Sequence, residues 1–169
     1  YRFFSGEMHQ QALHRLELES DLRRAVEREE FLLHYQPRVN LRSGAVTGVE
    51  ALVRWQHPTQ GLVPPGRFIA IAEQTRLILP LGDWVVRTAL RQQAAWVRAG
   101  LPALRMGVNL AAPQFEQTDL VGRIASALID AEVQPDHLEL ELTESTAMAN
   151  PEATAATLLE LKSIGVHVS

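Results

Sequence analysis

Helical periodicity and strand alternation divide the chain into a series of elements. Leu18, Leu22, Ala25 and Val26 recur at i, i+4, i+7 and i+8 between Arg and Glu residues, which predicts a linker or packing helix over residues 10–30. A first strand is expected over 31–40, with Gln36-Pro37 near its end, because proline cannot donate to a ladder. The Ser43-Gly44 turn leads to a second strand over 45–55, and so tight a connection implies an antiparallel pair. A Pro- and Gly-rich loop follows, from Pro58 to Gly66, then a short helix over 65–74. A longer helix is expected over 80–99, with Val86, Leu90 and Val97 on one stripe and Gly100 as its stop.

The remainder alternates strand and helix. Residues 105–110 read as a strand, with Gly107 and Asn109 on the face opposite Met106, Val108 and Leu110. A helix over 118–131 carries Leu120, Ile124 and Leu128. In the strand over 137–143, Leu138, Leu140 and Leu142 oppose Glu139, Glu141 and Thr143. Asn150-Pro151-Glu152 supplies an N-cap, a first-turn proline and an acid for the next helix. Ala155, Leu158 and Leu161 form its stripe, Gly165 ends it, and Val166-His167-Val168 starts another strand. This alternation argues for parallel strands joined by helical crossovers.

The stretch Gly48-Val49-Glu50-Ala51-Leu52-Val53-Arg54-Trp55 puts Glu50, Leu52 and Arg54 on one face and Val49, Ala51, Val53 and Trp55 on the other. A core strand does not bury an unpartnered acid and guanidinium, so that face either meets water or lines a polar site.

The 169 residues are enough for one domain with a sizeable core. A net charge of −4 argues against a broad duplex nucleic-acid footprint, though a single Arg or a metal can still hold a small anion. The absence of cysteine excludes disulfides, thiolate metal sites and a cysteine nucleophile. No apolar run approaches the length needed to span a bilayer, and residues 1–4 lack a signal-peptide layout, so a cytoplasmic setting is expected.

Glu50, Asn109 and Glu141 fall near the C-terminal ends of three successive strands, each opposite the aliphatic face. Active sites of parallel α/β folds are built at those ends. Three oxygen-bearing side chains converging there suit Mg²⁺ or Mn²⁺. Arg54, two pleats beyond Glu50, reaches toward an anion such as phosphate. The combination suggests metal-assisted phosphoester hydrolysis. Taken singly, each residue says less. Asn109 alone reads as a strand-end cap, Glu139 as structural or solvent-facing, and His34, His57 and His137 as surface residues. Glu144 alone can serve as an acid favouring a helix start.

These residues resemble the EAL domain family of cyclic di-GMP phosphodiesterases. Glu50-Ala51-Leu52 within GVEALVRW is similar to the family's eponymous motif. Tyr35-Gln36-Pro37, Pro65-Gly66-Arg67-Phe68-Ile69 with Ala72-Glu73, Val108-Asn109-Leu110 and Glu141-Leu142-Thr143-Glu144-Ser145 resemble further family motifs, in order; Ala111 replaces a usual serine. The resemblance covers about residues 18–169. It implies a TIM-like (β/α)8 barrel with an antiparallel first strand, of which about the first half is present. It implies Glu50, Asn109 and Glu141 as metal ligands for Mg²⁺ or Mn²⁺, two ions in the complete site. Leu52 and Arg54 would contact the dinucleotide, with Gln36 near it. Glu144 would support a loop that helps hold the metals and links to homodimerisation. The implied reaction yields linear pGpG.

Residues 1–17 are similar to a junction following a GGDEF domain, so a covalently linked GGDEF or sensor domain is expected, with 18–169 an EAL domain incomplete at its C-terminus. The family's Asp-Asp-Phe-Gly-Thr-Gly segment, a lysine and a further glutamate would follow Ser169. The isolated 169 residues are therefore expected to be inactive, and the complete domain active. The alternative is a non-catalytic EAL module that binds cyclic di-GMP or a protein partner as a relay. A remoter alternative is an unrelated divalent-metal barrel hydrolase.

Overall fold

The computed structural model describes residues 4–142 and 151–169. A first helix, α1 (Phe4–Glu27), leads into β1 (Phe31–Val39) and β2 (Val46–His57). The strands β1 and β2 pair antiparallel, as the tight connection requires, with Gln36 opposite Glu50 and Arg38 opposite Gly48. The residues read as a Pro/Gly loop contain a short strand, β3 (Gly61–Val63), folded back on the end of β2 through Pro58, Thr59 and Gln60. Gly61 takes a φ of +68°, a conformation that strains other residues. The short helix expected over 65–74 divides into a 3₁₀ turn (Pro65–Arg67) and α2 (Ile69–Gln74).

The long helix, α3 (Ile78–Arg98), starts two residues before Pro80. Proline is tolerated there because first-turn N–H groups have no intrahelical partner. Strand β4 (Arg105–Leu110) is as expected, and a short helix, α4 (Ala112–Phe115), precedes α5 (Leu120–Ala131). A 3₁₀ turn (Pro135–His137) enters β5 (Leu138–Leu142), and α6 (Pro151–Ser163) leads to β6 (His167–Val168). Thr143, Glu144, Ser145 and Asn150 lie outside the described residues.

Among the described residues the sheet order is β1-β2-β4-β5-β6, with β3 beside β2. The pairs β2–β4, β4–β5 and β5–β6 are parallel. This is an α/β arrangement of the partial-barrel kind, with the antiparallel pair at its start. The aliphatic faces of the strands, including Ala51, Met106, Val108, Leu138 and Leu140, join Leu81, Leu90, Ile124 and Leu128 of α3 and α5 in one core. The opposite faces of the same strands carry the polar residues. Alternation therefore separates a helix-covered face from a polar one.

Two helical stripes differ from expectation. Val86 and Leu90 are buried, but Val97 is exposed near the end of α3. On α6, Ala155 is exposed, while Thr154 and Leu161 are buried and Leu158 is half-buried. Both helices turn their packed stripe toward a neighbour, so apolar residues at the margins of the stripe remain in solvent.

The helix α1 is attached through its expected apolar residues, since Leu18, Leu22 and Ala25 are buried. A polar clamp adds to this. His57, read from the sequence as a surface residue, is buried, with its Nδ1 accepting from the N–H groups of Thr59 and Gln60 at 3.2 Å. That leaves Nε2 to donate to Asp21 Oδ2 at 3.1 Å. Beside it, Trp55, Phe31 and Phe68 pack with ring centroids 5.7–6.0 Å apart, and Trp55 Nε1 donates to Glu30 Oε2.

The polar face depends on close approach of β2 and β4 at Gly48. A Cβ there would lie 2.8 Å from the Arg105 carbonyl oxygen, which belongs to the neighbouring backbone and cannot swing away. Gly48→Ala is therefore expected to lower stability by about 1–3 kcal/mol. Urea unfolding checks this, and an unchanged midpoint would contradict the packing described.

Candidate active site

Strand register brings three of the sequence-predicted residues together. Asn109 of β4 is level with Glu141 of β5, while Glu50 of β2 is level with Gly107, one pleat below Asn109. Glu50 thus lies within β2 rather than near its end, because β2 runs on as a hairpin with β1 and β3. The C-terminal placement holds for Asn109 and Glu141. Glu50 and Asn109 still touch, since Asn109 Nδ2 donates to Glu50 Oε1 at 2.7 Å, and Glu141 stands beside Asn109 in register. With its amide nitrogen so engaged, Asn109 Oδ1 is left as an oxygen donor.

Two residues that the sequence reading did not assign to the site complete the cluster. Arg38 extends from β1 across β2 and β4. Its guanidinium donates to Glu139 Oε2 at 3.2 Å and to Glu141 Oε1, and lies 3.7 Å from Glu50 Oε2. Glu139, read as structural or solvent-facing, is instead part of this network. The trench that admits Arg38 exists because position 107 is glycine. A Cβ there would lie 2.3 Å from Glu141 Oε1 and 2.8 Å from Arg38 Nη2. Alternation holds the clue to Arg38, since it stands two residues after Gln36 and so shares its face.

Three carboxylates facing one guanidinium leave the cluster with excess negative charge. Burial raises the pKa of Glu141 above the ordinary carboxylate value, with the Glu50 and Glu139 charges adding and Arg38 opposing. A carboxyl whose folded pKa is raised contributes its full stability below the unfolded value and loses it as pH rises through the folded one. At neutral pH the ionised Glu141 is therefore held at a cost. In metal-free protein at neutral pH, Glu141→Gln is expected to melt no lower than wild type, and the difference should vanish near about pH 4, where the unfolded carboxyl titrates. A drop of several degrees at neutral pH would contradict this reading.

The donor set fits a hard divalent cation. Among the described residues no three His, Cys, Asp or Glu side chains meet at metal-ligand spacing. The set that fits is two carboxylates, Glu50 and Glu141, and the amide oxygen of Asn109, all oxygens of the kind Mg²⁺ and Mn²⁺ prefer. A cation there would also relieve the negative excess.

The other predicted residues surround this cluster. Gln36 is exposed and directly opposite Glu50 across the β1–β2 ladder. Leu52 continues the same face of β2. Arg54 lies two pleats beyond Glu50, with Nη1 donating to the Val53 carbonyl at 2.8 Å. Leu52 and Asn109 both line a cleft of about 300 Å³, walled by Pro65, Ile69, Leu81 and Ala111. Glu144 lies outside the described residues. No helix among the described residues is long and apolar enough to cross a membrane.

The family model described as EAL domain matches residues 19–169. The chain is 44% identical over 169 residues to the bifunctional diguanylate cyclase/cyclic di-GMP phosphodiesterase MucR of Pseudomonas aeruginosa, covering 100% of this chain and 25% of MucR. It is 37% identical over 165 residues to the cyclic di-GMP phosphodiesterase PdeR of Escherichia coli, covering 98% of this chain and 25% of PdeR. The chain thus spans about a quarter of the length of these curated relatives. Among solved structures, the PaMucR phosphodiesterase in complex with c-di-GMP superposes with a TM-score of 0.86 at 44% identity, covering 90% of this chain and 62% of that one. The Xanthomonas citri FimX EAL domain in complex with c-di-GMP gives 0.82 at 26% identity, covering 95% and 62%.

Proposed function

Because this chain belongs to the EAL domain family, we propose that it carries the first part of a metal-dependent phosphodiesterase that opens cyclic di-GMP to linear pGpG. The observation that carries the proposal is the meeting of Glu50, Asn109 and Glu141 on one polar face, beside a cleft lined by Leu52. A non-catalytic binding module has no need of such an oxygen set.

The roles follow from chemistry. Glu50, Asn109 and Glu141 would hold Mg²⁺ or Mn²⁺, two ions in the complete site. The chemistry supplied by such ions is a lowered pKa for water and neutralisation of charge on the phosphate and leaving oxygen. Asn109 fixes the orientation of Glu50 through its amide hydrogen bond. Arg54 pairs with a phosphate oxygen once the dinucleotide draws it from the Val53 carbonyl. Leu52 and the apolar cleft receive a base, and Gln36 offers an amide to the substrate opposite Glu50. A product with a terminal 5′-phosphate requires that water add to phosphorus and that the ribose 3′-oxygen leave. Glu144 supports the loop linking the metals to a homodimer contact.

The same reading treats residues 1–17 as the tail of a GGDEF-like or sensor domain and residues 18–169 as an EAL domain whose remaining strands close the barrel in a cytoplasmic protein. MucR, bifunctional by name and matched over 25% of its length, supports that arrangement. Incubation of the full-length protein with cyclic di-GMP and Mn²⁺, followed by chromatography, tests the proposal. The expected result is pGpG, abolished by EDTA, with no turnover by the 169 residues alone. Tight binding of cyclic di-GMP without hydrolysis would instead establish a relay module.

A further inference from the structure

We infer that Arg38 is the built-in counter-ion of the divalent-metal site, a positioning residue that holds the carboxylates in the metal-free protein and competes with the incoming cation. The inference rests on the metal-site reading of Glu50, Asn109 and Glu141. The guanidinium contacts Glu139 at 3.2 Å and Glu141 Oε1, and stands 3.7 Å from Glu50. Two of those three carboxylates are proposed metal ligands. Its own side chain is 34% exposed and theirs are 15–25% exposed, so water screens the charges only partly.

Without a cation, Glu50 of β2 and Glu139 and Glu141 of β5 would repel one another across β4. Arg38 suits the counter-ion role because its planar fork donates to two carboxylates at once, which a lysine ammonium cannot match in direction. The approach route supports this. Arg38 is paired with Gly48, on the side of Glu50 away from Asn109, and lies over the trench left by Gly107. It therefore engages Glu50 Oε2 while Asn109 engages Oε1.

Two opposed effects on metal affinity follow. Arg38 orients the ligands, and loss of an orienting contact generally weakens metal binding by tenfold to a hundredfold. It also sets a positive charge against two of the carboxylates that would hold a divalent cation, in a site that water screens only partly. For groups that share the same carboxylates, Coulomb repulsion from a double charge would outweigh the lost orientation. Removing the charge should therefore tighten metal binding while destabilising the metal-free state.

The test uses the full-length protein with Arg38→Gln and Arg38→Lys, titrated with Mn²⁺ by calorimetry and melted with and without Mn²⁺. For Arg38→Gln the expected result is a lower metal-free melting temperature, a larger rise on adding Mn²⁺, and a dissociation constant for Mn²⁺ at least about tenfold tighter, within the usual range of site-to-site coupling. Arg38→Lys should keep wild-type affinity within a few fold and fall between the two in metal-free stability. A variant that folds only with Mn²⁺ present supports the inference as well. A melting temperature lowered equally with and without Mn²⁺, at unchanged affinity, would mean a merely structural role and overturn it, as would weaker Mn²⁺ binding by Arg38→Gln. Failure of the wild-type protein to bind Mn²⁺ would overturn the metal-site reading and this inference with it.

Discussion

Glu50→Ala in the full-length protein is expected to slow hydrolysis of cyclic di-GMP by at least about a thousandfold, equivalent to roughly 4 kcal/mol of transition-state stabilisation. The magnitude follows from the place of Glu50 in the site. It is one of only two carboxylates in the proposed donor set, and it is the residue that Asn109 binds at 2.7 Å. Its loss removes a metal oxygen and frees the amide that was oriented by it. The fold should survive, because the Glu50 side chain is 25% exposed and Arg38 retains Glu139 and Glu141 as partners. Steady-state rates together with a melting curve check both halves of this expectation. A rate within tenfold of wild type would sink the assignment of Glu50 as a ligand.

Gly107→Ala should have the second largest effect, and it is less obvious from chemistry alone, since glycine performs none. A methyl at this position would stand 2.3 Å from Glu141 Oε1 and 2.8 Å from Arg38 Nη2. Both atoms are the ends of long side chains, so they can move aside at little cost to the fold. What they cannot do is move and still hold Glu141 against Arg38. Displacement of a ligand by about an ångström costs on the order of a hundredfold in rate. The expected result is therefore a loss of activity and Mn²⁺ affinity of that order, with a melting temperature close to wild type. This contrasts with Gly48→Ala, where the obstacle is a backbone oxygen and the stability should fall instead. If Gly107→Ala retained full activity, the trench beneath the carboxylates would not matter to function.

Strand alternation alone put Glu50, Asn109 and Glu141 opposite the aliphatic residues, and the strand pairings bring Glu50 beside Asn109 and Asn109 level with Glu141. The β1–β2 hairpin was legible because the link between the two strands is too short for a parallel crossover. Arg38 was not, because its significance lies in a reach across two strands to residues 101 and 103 positions away. The burial of His57 was hidden in the same manner, since its partner Asp21 lies on a helix 36 residues earlier. Glu139 was read as peripheral because no local pattern distinguishes an acid facing a guanidinium from one facing water. Helix margins erred for a different reason. Val97 and Ala155 fit the helical period, but burial depends on where the neighbouring element stops, which periodicity does not encode.

Roles were less legible than positions. Nothing in spacing distinguishes Leu52 as a substrate contact from Leu52 as an ordinary strand residue. The resemblance to EAL domains supplied that role, and the cleft shared by Leu52 and Asn109 gives it a physical setting.

Anomalous diffraction from crystals of the full-length protein grown with Mn²⁺ would show whether Glu50, Asn109 and Glu141 bind the cation. The expected result is an anomalous peak within metal–oxygen bonding distance of Glu50, Asn109 and Glu141, with Arg38 still on the side of Glu50 away from Asn109. A peak bound elsewhere, with these three side chains making no contact to it, would show that they are not metal ligands.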